Sequence, residues 1–549
     1  MPGWNFADAW ETVAETLPDA PALLHGDLVR SWSDFDARAD GVAAALLEAG
    51  VTEGTSVAQY LTNRPEYLEA VFAAFKLGLA PVNTNYRYVE DELLYLWDNA
   101  DSSAVVFEGQ FTERIEHIRD RVPDVRVWLW VDDGHGECPD WATPYEAAAT
   151  SGAGRTSAAW GRSGDSLYLL YTGGTTGMPK GVMWRNDDLL LVLNDGAPRA
   201  RKLPEDVDLD HLRQVVSSPG IRTLPACPLM HGTGAFNAFT ALTVGGSVVT
   251  LTKSSFDAVE LLDAVQDKQV NNTAIVGDAF ARPILAALDA HNSGDGPDRW
   301  DISSLKVVVS SGVMWSQATK DGLLRHNPKM LLVDTLGSSE AIGMASSVSS
   351  GSGDGASAAR TATFTLGPST KVIADDGTEV HPGDDAIGKI AIQGRTPVGY
   401  YKDPAKSAET FVRIGDATYS MPGDYARVEA DGTLVLLGRG SVCINTGGEK
   451  VFPEEVEEAL KEHADVRDAV VVGLPDERFG QAITAVVEVV PGTDPSPDEL
   501  IATVKAHHAA YKAPKRIVFV DSLSRAANGK VDYKRWTRHA AGVLGADEG

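Results

Sequence analysis

Basic residues are the minority charge in this chain. There are 48 Lys and Arg against 77 Asp and Glu, a formal net charge of −29 over 549 residues. That balance opposes non-specific attraction to nucleic acid or to an anionic lipid surface, while leaving room for a local basic site that holds an anionic nucleotide. Cysteine is scarcer still. Cys138, Cys227 and Cys443 are odd in number, far apart and without metal-ligand spacing, which argues against a disulfide framework or a zinc site and for a reducing compartment. The N-terminus, MPGWNFADAWETVAE, lacks a basic region followed by an apolar core, and no apolar run approaches the roughly 20 residues that span a bilayer. The expectation is a cytoplasmic protein with no membrane span and no nucleic-acid partner. Its length exceeds one typical domain, so at least two are expected.

What the chain does have is concentrated in residues 171–181, YTGGTTGMPKG, where four glycines, three threonines and one lysine follow an apolar, strand-like run at 167–170 and precede a helical-looking segment. Glycines let backbone approach a ligand closely, and successive N–H groups and hydroxyls supply donors for phosphate oxygens. A ligand-free surface turn is the alternative. A Walker A loop is disfavoured, because Pro179 precedes Lys180 and Gly181 follows it where that motif needs Lys-Ser/Thr leading into a helix. The run resembles the phosphate loop of the adenylate-forming superfamily, which contains acyl-CoA and aryl-CoA ligases, luciferases and peptide-synthetase adenylation domains.

The rest of the chain supplies a scaffold. Apolar spacing predicts a helix from 32 to 50, capped by Ser33 and closed by Gly50, and a second from Pro65 to Gly78. Strands at 80–82 and 104–107 alternate with a helix at 90–97, the rhythm of stacked βα units. Residues 194–220 look like a surface excursion without periodicity, and 346–358 like a Gly/Ser-rich loop. Runs at 307–309 and 331–333 read as strands that exit into loops, the second into DTLGSSEAIG. Residues 367–401 read as a small antiparallel β-subdomain, 438–441 as a linker, and the remainder as a compact αβ unit. The expected fold is α/β: a large N-terminal αβ domain (1–437) with stacked sheets and a β-subdomain, a hinge (438–441), and a small mobile C-terminal α+β lid (442–549).

Further motifs occur in the order in which the superfamily carries them. On the residues alone His231 in PLMHG is an ordinary structural histidine, Asp424 a turn aspartate and Lys530 a solvated turn lysine. The resemblance implies more: Thr172, Gly173, Gly174, Thr175, Thr176 and Lys180 hold phosphates, Ser339 meets the phosphate and Glu340 holds Mg²⁺. It further implies that Asp424 and Arg439 bind the ribose, and that His231, Gly232 and Phe236 line an acyl pocket. Gly447 and Gly448 would admit the pantetheine arm of CoA, Ser441 would be the hinge pivot, and Lys530 would reach the acyl carboxylate and α-phosphate. Leu336 stands where the family usually has Tyr, and Ser441 where it usually has Asp or Lys.

The implied activity is an ATP- and CoA-dependent acyl-CoA ligase with Mg²⁺ as cofactor, acting on an apolar carboxylic acid such as a medium- or long-chain fatty acid or a steroid side-chain acid. The run from His231 to Gly246 is rich in small and apolar residues, which suits such an acid. Alternatives are a free-standing adenylation enzyme that loads an acyl carrier protein, a luciferase-type oxygenase, and a non-enzymatic adenylate-binding sensor. Retention of Lys530 and Glu340 argues against the sensor. Oligomeric state is open, a homodimer being one option.

Overall fold

The helix Trp32–Glu48 starts where it does because Trp32, fully buried, must sit on its inner face. Its cap is Ser31 rather than the expected Ser33: the Asp34 N–H donates to the Ser31 hydroxyl at 3.1 Å, and the Ser31 N–H donates to the Asp34 carboxylate at 3.2 Å. The helix Pro65–Lys76 follows the expected pattern, with Pro65 in its first turn and Gly78 just past its end at φ +68°.

The computed structural model describes residues 3–172, 178–292, 299–312, 315–351, 363–384, 386–439, 442–446, 449–476, 480–508, 510–525 and 531–545. They divide into two compact units: Met1–Ile342 with Val348–Gly355 and Gln393–Arg413, and Gly343–Ser347 with Ala356–Ile392 and Ile414–Gly549. Among the described residues no helix is long and apolar enough to cross a membrane. Cys138 and Cys227 are free thiols.

The first unit contains two largely parallel arrays. In one, the strands run in the order Lys180–Arg185, Leu167–Thr172, Ala80–Asn83, Ser56–Tyr60, Ser102–Glu108, Val127–Val131. All pairings are parallel from Leu167–Thr172 onward. In the other, the strands Pro21–His25, Ser247–Thr250, Arg222–Pro225, Asn272–Ile275, Val307–Ser311 and Leu331–Ser338 pair in parallel. Trp10 meets Phe35, Phe72, Phe75 and Phe239 with ring centroids 5.3 to 6.0 Å apart, a buried aromatic cluster built from helices distant in sequence.

Four expectations need correction here. Lys180–Arg185 is a strand antiparallel to Leu167–Thr172, so the phosphate-loop candidate connects two antiparallel strands and the next helix begins only at Asn186. The strand Leu331–Ser338 is longer than expected and is followed at Ala341 by another strand, which puts Ser339 and Glu340 in the connection between two strands rather than in a loop exit. The excursion at 194–220 contains the helix Leu209–Val215, begun by Asp208, whose side chain accepts from the His211 N–H at 2.8 Å; its short apolar stripe, Leu212 and Val215, was masked by the charges around it. Ser346 to Ser350 lie in a strand, and the remainder of the Gly/Ser-rich run falls mostly outside the described residues.

The second unit has an antiparallel sheet in which Thr363–Leu366, Thr433–Arg439, Asp424–Val428 and Ile387–Gln393 are successive neighbours, so it reaches beyond the expected 367–401 on both sides, while Gly399–Tyr400 pairs instead with Lys180–Arg185. Thr433–Arg439 continues through Gly438 and Arg439, so only Gly440 and Ser441 of the expected linker are left beyond it, and both lie outside the described residues. Its other part pairs Val466–Asp476 antiparallel with Gly480–Val489, and that strand in parallel with Arg516–Val520. The helices Pro453–Lys461 and Pro497–His507 cover one face, Leu460 and Leu500 packing with Val471 and Ala485, and Tyr533–Leu544 covers the other through Trp536 and Ala540.

Candidate active site

The strand pair Leu167–Thr172 and Lys180–Arg185 is held in register to its last described pair. Thr172 stands opposite Lys180 and Tyr171 opposite Gly181. A Cβ on Gly181 would lie 2.6 Å from the Tyr171 ring, so the glycine lets the aromatic lie flat across the strand pair. Gly173, Gly174, Thr175 and Thr176 lie outside the described residues.

A buried asparagine that sequence reasoning missed ties this hairpin to the acyl-pocket motif. Asn83, at the end of the strand Ala80–Asn83, accepts from the Tyr171 N–H at 2.6 Å and donates to the carbonyls of Tyr171 at 2.9 Å and Met230 at 2.7 Å. Asn63 does the same one strand away, donating to the carbonyl of Cys227 at 3.0 Å and accepting from the Leu229 N–H at 2.7 Å. Irregular backbone beneath a site carries polar groups that the sheet cannot satisfy, and these two amides satisfy them.

Lys180 leaves the hairpin toward residues 400–403. Its ammonium lies 2.9 Å from Asp403 and 5.7 Å from the centre of the Tyr400 ring. Asp403 also caps the helix Pro404–Thr410 by accepting from the Lys406 N–H at 3.0 Å. The Lys180 hydrogen bond holds the Asp403 carboxyl below its ordinary range. Both side chains keep about a third of their surface exposed, 38% and 34%, so the pair is water-screened and can exchange Asp403 for a phosphate at small cost.

Tyr400 completes the group. It pairs in a short strand with Val182, its N–H donates to Ser407 Oγ at 2.8 Å, and its hydroxyl donates to Glu340 Oε1 at 2.8 Å. Glu340 is further fixed by its N–H, 3.2 Å from Ser338 Oγ, and the neighbouring Ser339 carbonyl accepts from the Trp184 indole at 2.9 Å. Lys180, Tyr400, Glu340 and Ser339 thus form one contiguous group beside the hairpin. The Asp403-Pro404 dipeptide was a readable helix start; the pairing of Tyr400 with Glu340 carries no local signal. Among the described residues no group of three or more His, Cys, Asp and Glu is placed to hold a metal. Glu340 would be the one protein carboxylate to hold a Mg²⁺ here, and an ion of this kind commonly takes its remaining ligands from substrate phosphates and water.

The acyl-pocket motif divides in two. His231 precedes the helix Gly232–Thr243 and its carbonyl accepts from the N–H groups of Gly234 and Ala235, both at 3.0 Å. Phe239 is fully buried among Phe6, Trp10, Phe75 and Tyr168 and belongs to the core. Phe236 is only half buried, edge-on to Tyr168 and Trp184 at 6.3 and 6.5 Å. A Cβ on Gly232 would lie 3.1 Å from the Phe236 ring and 3.3 Å from Leu170, so the glycine makes room for that ring.

In the second unit Asp424 and Arg439 are register partners on adjacent antiparallel strands, and Gly423, at φ +102°, turns the chain immediately before Asp424. Two residues 15 positions apart that were both expected at the ribose are therefore cross-strand neighbours. Gly447, Gly448, Ser441 and Lys530 lie outside the described residues.

Comparison with known proteins agrees with this architecture. Residues 10–401 match the AMP-binding enzyme family and residues 455–530 the AMP-binding enzyme C-terminal domain. The chain is 40% identical to a medium/long-chain-fatty-acid–CoA/3-oxocholest-4-en-26-oate–CoA ligase of Mycolicibacterium smegmatis, over 99% of this chain and 98% of the relative. It is 39% identical to a 3-oxocholest-4-en-26-oate–CoA ligase of Rhodococcus rhodochrous, over 99% and 97%. The crystal structure of the anthranilate CoA ligase AuaEII with anthranoyl-AMP shares the fold at a TM-score of 0.81 and 22% identity, covering 99% of this chain and 98% of that one. With matches that run through both of its domains, the chain belongs to the AMP-binding, adenylate-forming enzyme family.

Proposed function

We propose that this protein is an ATP- and CoA-dependent acyl-CoA ligase for an apolar carboxylic acid, a medium- or long-chain fatty acid or a steroid side-chain acid. The observation that carries the proposal is the contiguous group of Lys180, Tyr400, Glu340 and Ser339 beside a Gly/Thr-rich connection between two strands, in a chain related over its full length to ligases with those names. In the first half-reaction a carboxylate oxygen attacks the α-phosphorus of ATP, the bond to the β-phosphate oxygen breaks, and pyrophosphate leaves an acyl-adenylate. Two anions must meet, so the site supplies positive charge and alignment rather than a strong base. Thr172, Thr175, Thr176 and Lys180 hold phosphates, Ser339 meets the phosphate, Asp424 and Arg439 orient the ribose, and Lys530 neutralises the carboxylate and α-phosphate. Glu340 would hold a Mg²⁺ ion, which when bound would supply charge compensation for the triphosphate.

In the second half-reaction the CoA thiol attacks the acyl carbonyl and AMP leaves with the bonding electrons. Gly447 and Gly448 give the pantetheine arm close backbone approach, and Ser441 is the pivot by which the C-terminal domain changes roles between steps. Three cysteines, odd in number and far apart in the chain, are in keeping with a reducing, cytoplasmic setting. Loading of an acyl carrier protein is the rival outcome.

The test is a panel of acetate, octanoate, palmitate, benzoate and a steroid side-chain acid, ranked by kcat/KM with ATP and either CoA or a carrier protein as acceptor. Each buried methylene should add about 0.8 kcal/mol until the pocket is full, seen as a rise with chain length. A preference for acetate or benzoate refutes the apolar pocket. Transfer to the carrier but not to CoA refutes the acceptor.

A further inference from the structure

The two faces of the strands Val307–Ser311 and Leu331–Ser338 are unequally covered. Val308, Ser310, Leu332 and Asp334 are buried on one face, whereas Val307, Val309, Val333 and Thr335 on the other are only half buried. Thr223, Asn272 and Val307 are register partners on three neighbouring parallel strands, so their side chains share the half-covered face. The helix Gly232–Thr243 reaches the same face through Asn237, and it carries a half-buried stripe of its own, Thr233, Phe236, Asn237 and Thr240. Trp184 links this helix to the reacting end: its indole donates to the Ser339 carbonyl, and its ring stands edge-on to Phe236.

A polar cluster closes the far end of this apolar strip. Asn272 Oδ1 accepts from the Thr223 hydroxyl at 2.8 Å and from Asn237 Nδ2 at 2.9 Å, and the Thr223 hydroxyl also touches Asn237 Oδ1. Asn272 is only 9% exposed, yet its Nδ2, which carries two protons, donates to no group among the described residues. The two polar atoms of a planar amide diverge, so an oxygen turned to Thr223 on one neighbouring strand leaves the nitrogen facing the side of Val307. Strand rise puts the Asn272 row about 13 Å from Thr335 and about 23 Å from Ser338, next to Ser339 and Glu340. A methyl group brought to that amide would leave its donor unpaired, whereas an oxygen would satisfy it.

We propose that Asn272, oriented by Thr223 and Asn237, is a specificity-determining residue that donates to an oxygen at the far end of the acyl group. The preferred substrate is then an apolar acid with a carbonyl or hydroxyl remote from its carboxylate. This rests on the apolar-acid reading above and narrows it. A steroid side-chain acid with a ring ketone at the opposite end of its nucleus meets the requirement with a rigid frame, and an ω-hydroxy fatty acid meets it with a flexible one.

The experiment measures kcat/KM with ATP and CoA for two matched pairs: such a steroid acid with and without its ring ketone, and ω-hydroxypalmitate against palmitate. Wild type is compared with full-length Asn272→Leu and Asn272→Ala, which remove the donor with different volumes left behind. Within one variant the ratio of two acids is independent of the fraction folded, so a merely structural role would not move it. The expected result is a preference of about fivefold for the oxygenated member of one pair, falling to about onefold or below in both variants. Collapse in the steroid pair identifies the ring ketone as the ligand, and collapse in the fatty pair identifies the ω-oxygen. Wild-type ratios near one in both pairs, or ratios unchanged by the substitutions, overturn the proposal and leave the ligase reading standing. No turnover of any of the four acids overturns both.

Discussion

The Tyr400 hydroxyl donates to Glu340 Oε1 at 2.8 Å although 60 positions separate the two residues. It fixes the rotamer of the one carboxylate proposed for Mg²⁺, and it is itself fixed by the Ser407 hydroxyl at its N–H. A hydrogen bond to a charged group contributes about 1.5–3 kcal/mol, so Tyr400→Phe should slow pyrophosphate exchange by about tenfold or more and raise the Mg²⁺ concentration for half-maximal rate. A Mg²⁺ titration of the exchange rate checks this. An unchanged midpoint and rate would mean that Tyr400 is only a packing residue.

Asn83 makes three hydrogen bonds from a fully enclosed position, to both polar groups of Tyr171 and to the Met230 carbonyl. Asn83→Ala leaves those backbone groups without their partner in a place water does not reach. The expected cost is about 3 kcal/mol of stability, measured by urea denaturation, together with slower adenylation because the hairpin and the His231 motif lose their common tie. Loss of stability with adenylation unchanged would separate the tie from the site.

How far the site could be read from sequence depends on whether each residue's partner is local. The strand at 167–170 leading into a Gly/Thr-rich loop and the helix between Pro65 and Gly78 were legible, because glycine, proline and hydroxyl residues mark backbone requirements within a few positions. Even so, the segment after the loop read as helical. Val182 and Trp184 alternate inward as a strand does, but a run of six residues is too short for a period to decide. Asn83 and Tyr400 were invisible for another reason: their partners lie 88 and 60 positions away, and an asparagine or tyrosine in isolation resembles any other. Phe236 and Phe239 sit three apart on one helix, and only tertiary packing separates the core ring from the half-buried one.

Glu457 should make stability depend on pH in a definite direction. Burial raises its carboxyl from 4.5 to about 7, so the folded state holds that proton more tightly than the unfolded state. Its contribution is therefore fully present below about 4.5 and declines as pH rises through about 7, by at most about 3 kcal/mol. Glu457→Gln has no such proton to lose. The stability of the variant relative to wild type should shift in the variant's favour between about pH 5 and about pH 8, as measured by denaturant midpoints at each pH. A constant difference across that range would show that Glu457 is ionised throughout.

Gly232 offers the most direct check on the acyl pocket. A Cβ there would sit 3.1 Å from the Phe236 ring and 3.3 Å from Leu170, tighter than ordinary packing, so any side chain must displace the ring. Leu170 is buried in the sheet core and cannot yield, whereas Phe236 is half buried, so the ring moves toward whatever space lies beside it. If that space is where the acyl chain lies, Gly232→Ala and Gly232→Val should shorten the usable pocket in proportion to the volume added. Each methylene excluded would lose about 0.8 kcal/mol, or about fourfold in kcat/KM. The loss should be greatest for a steroid side-chain acid, smaller for octanoate and least for acetate, which turns the substrate ranking of the enzyme toward short acids. The same fractional loss for every acid would instead place Phe236 in structural packing alone, with the acyl chain lodged elsewhere.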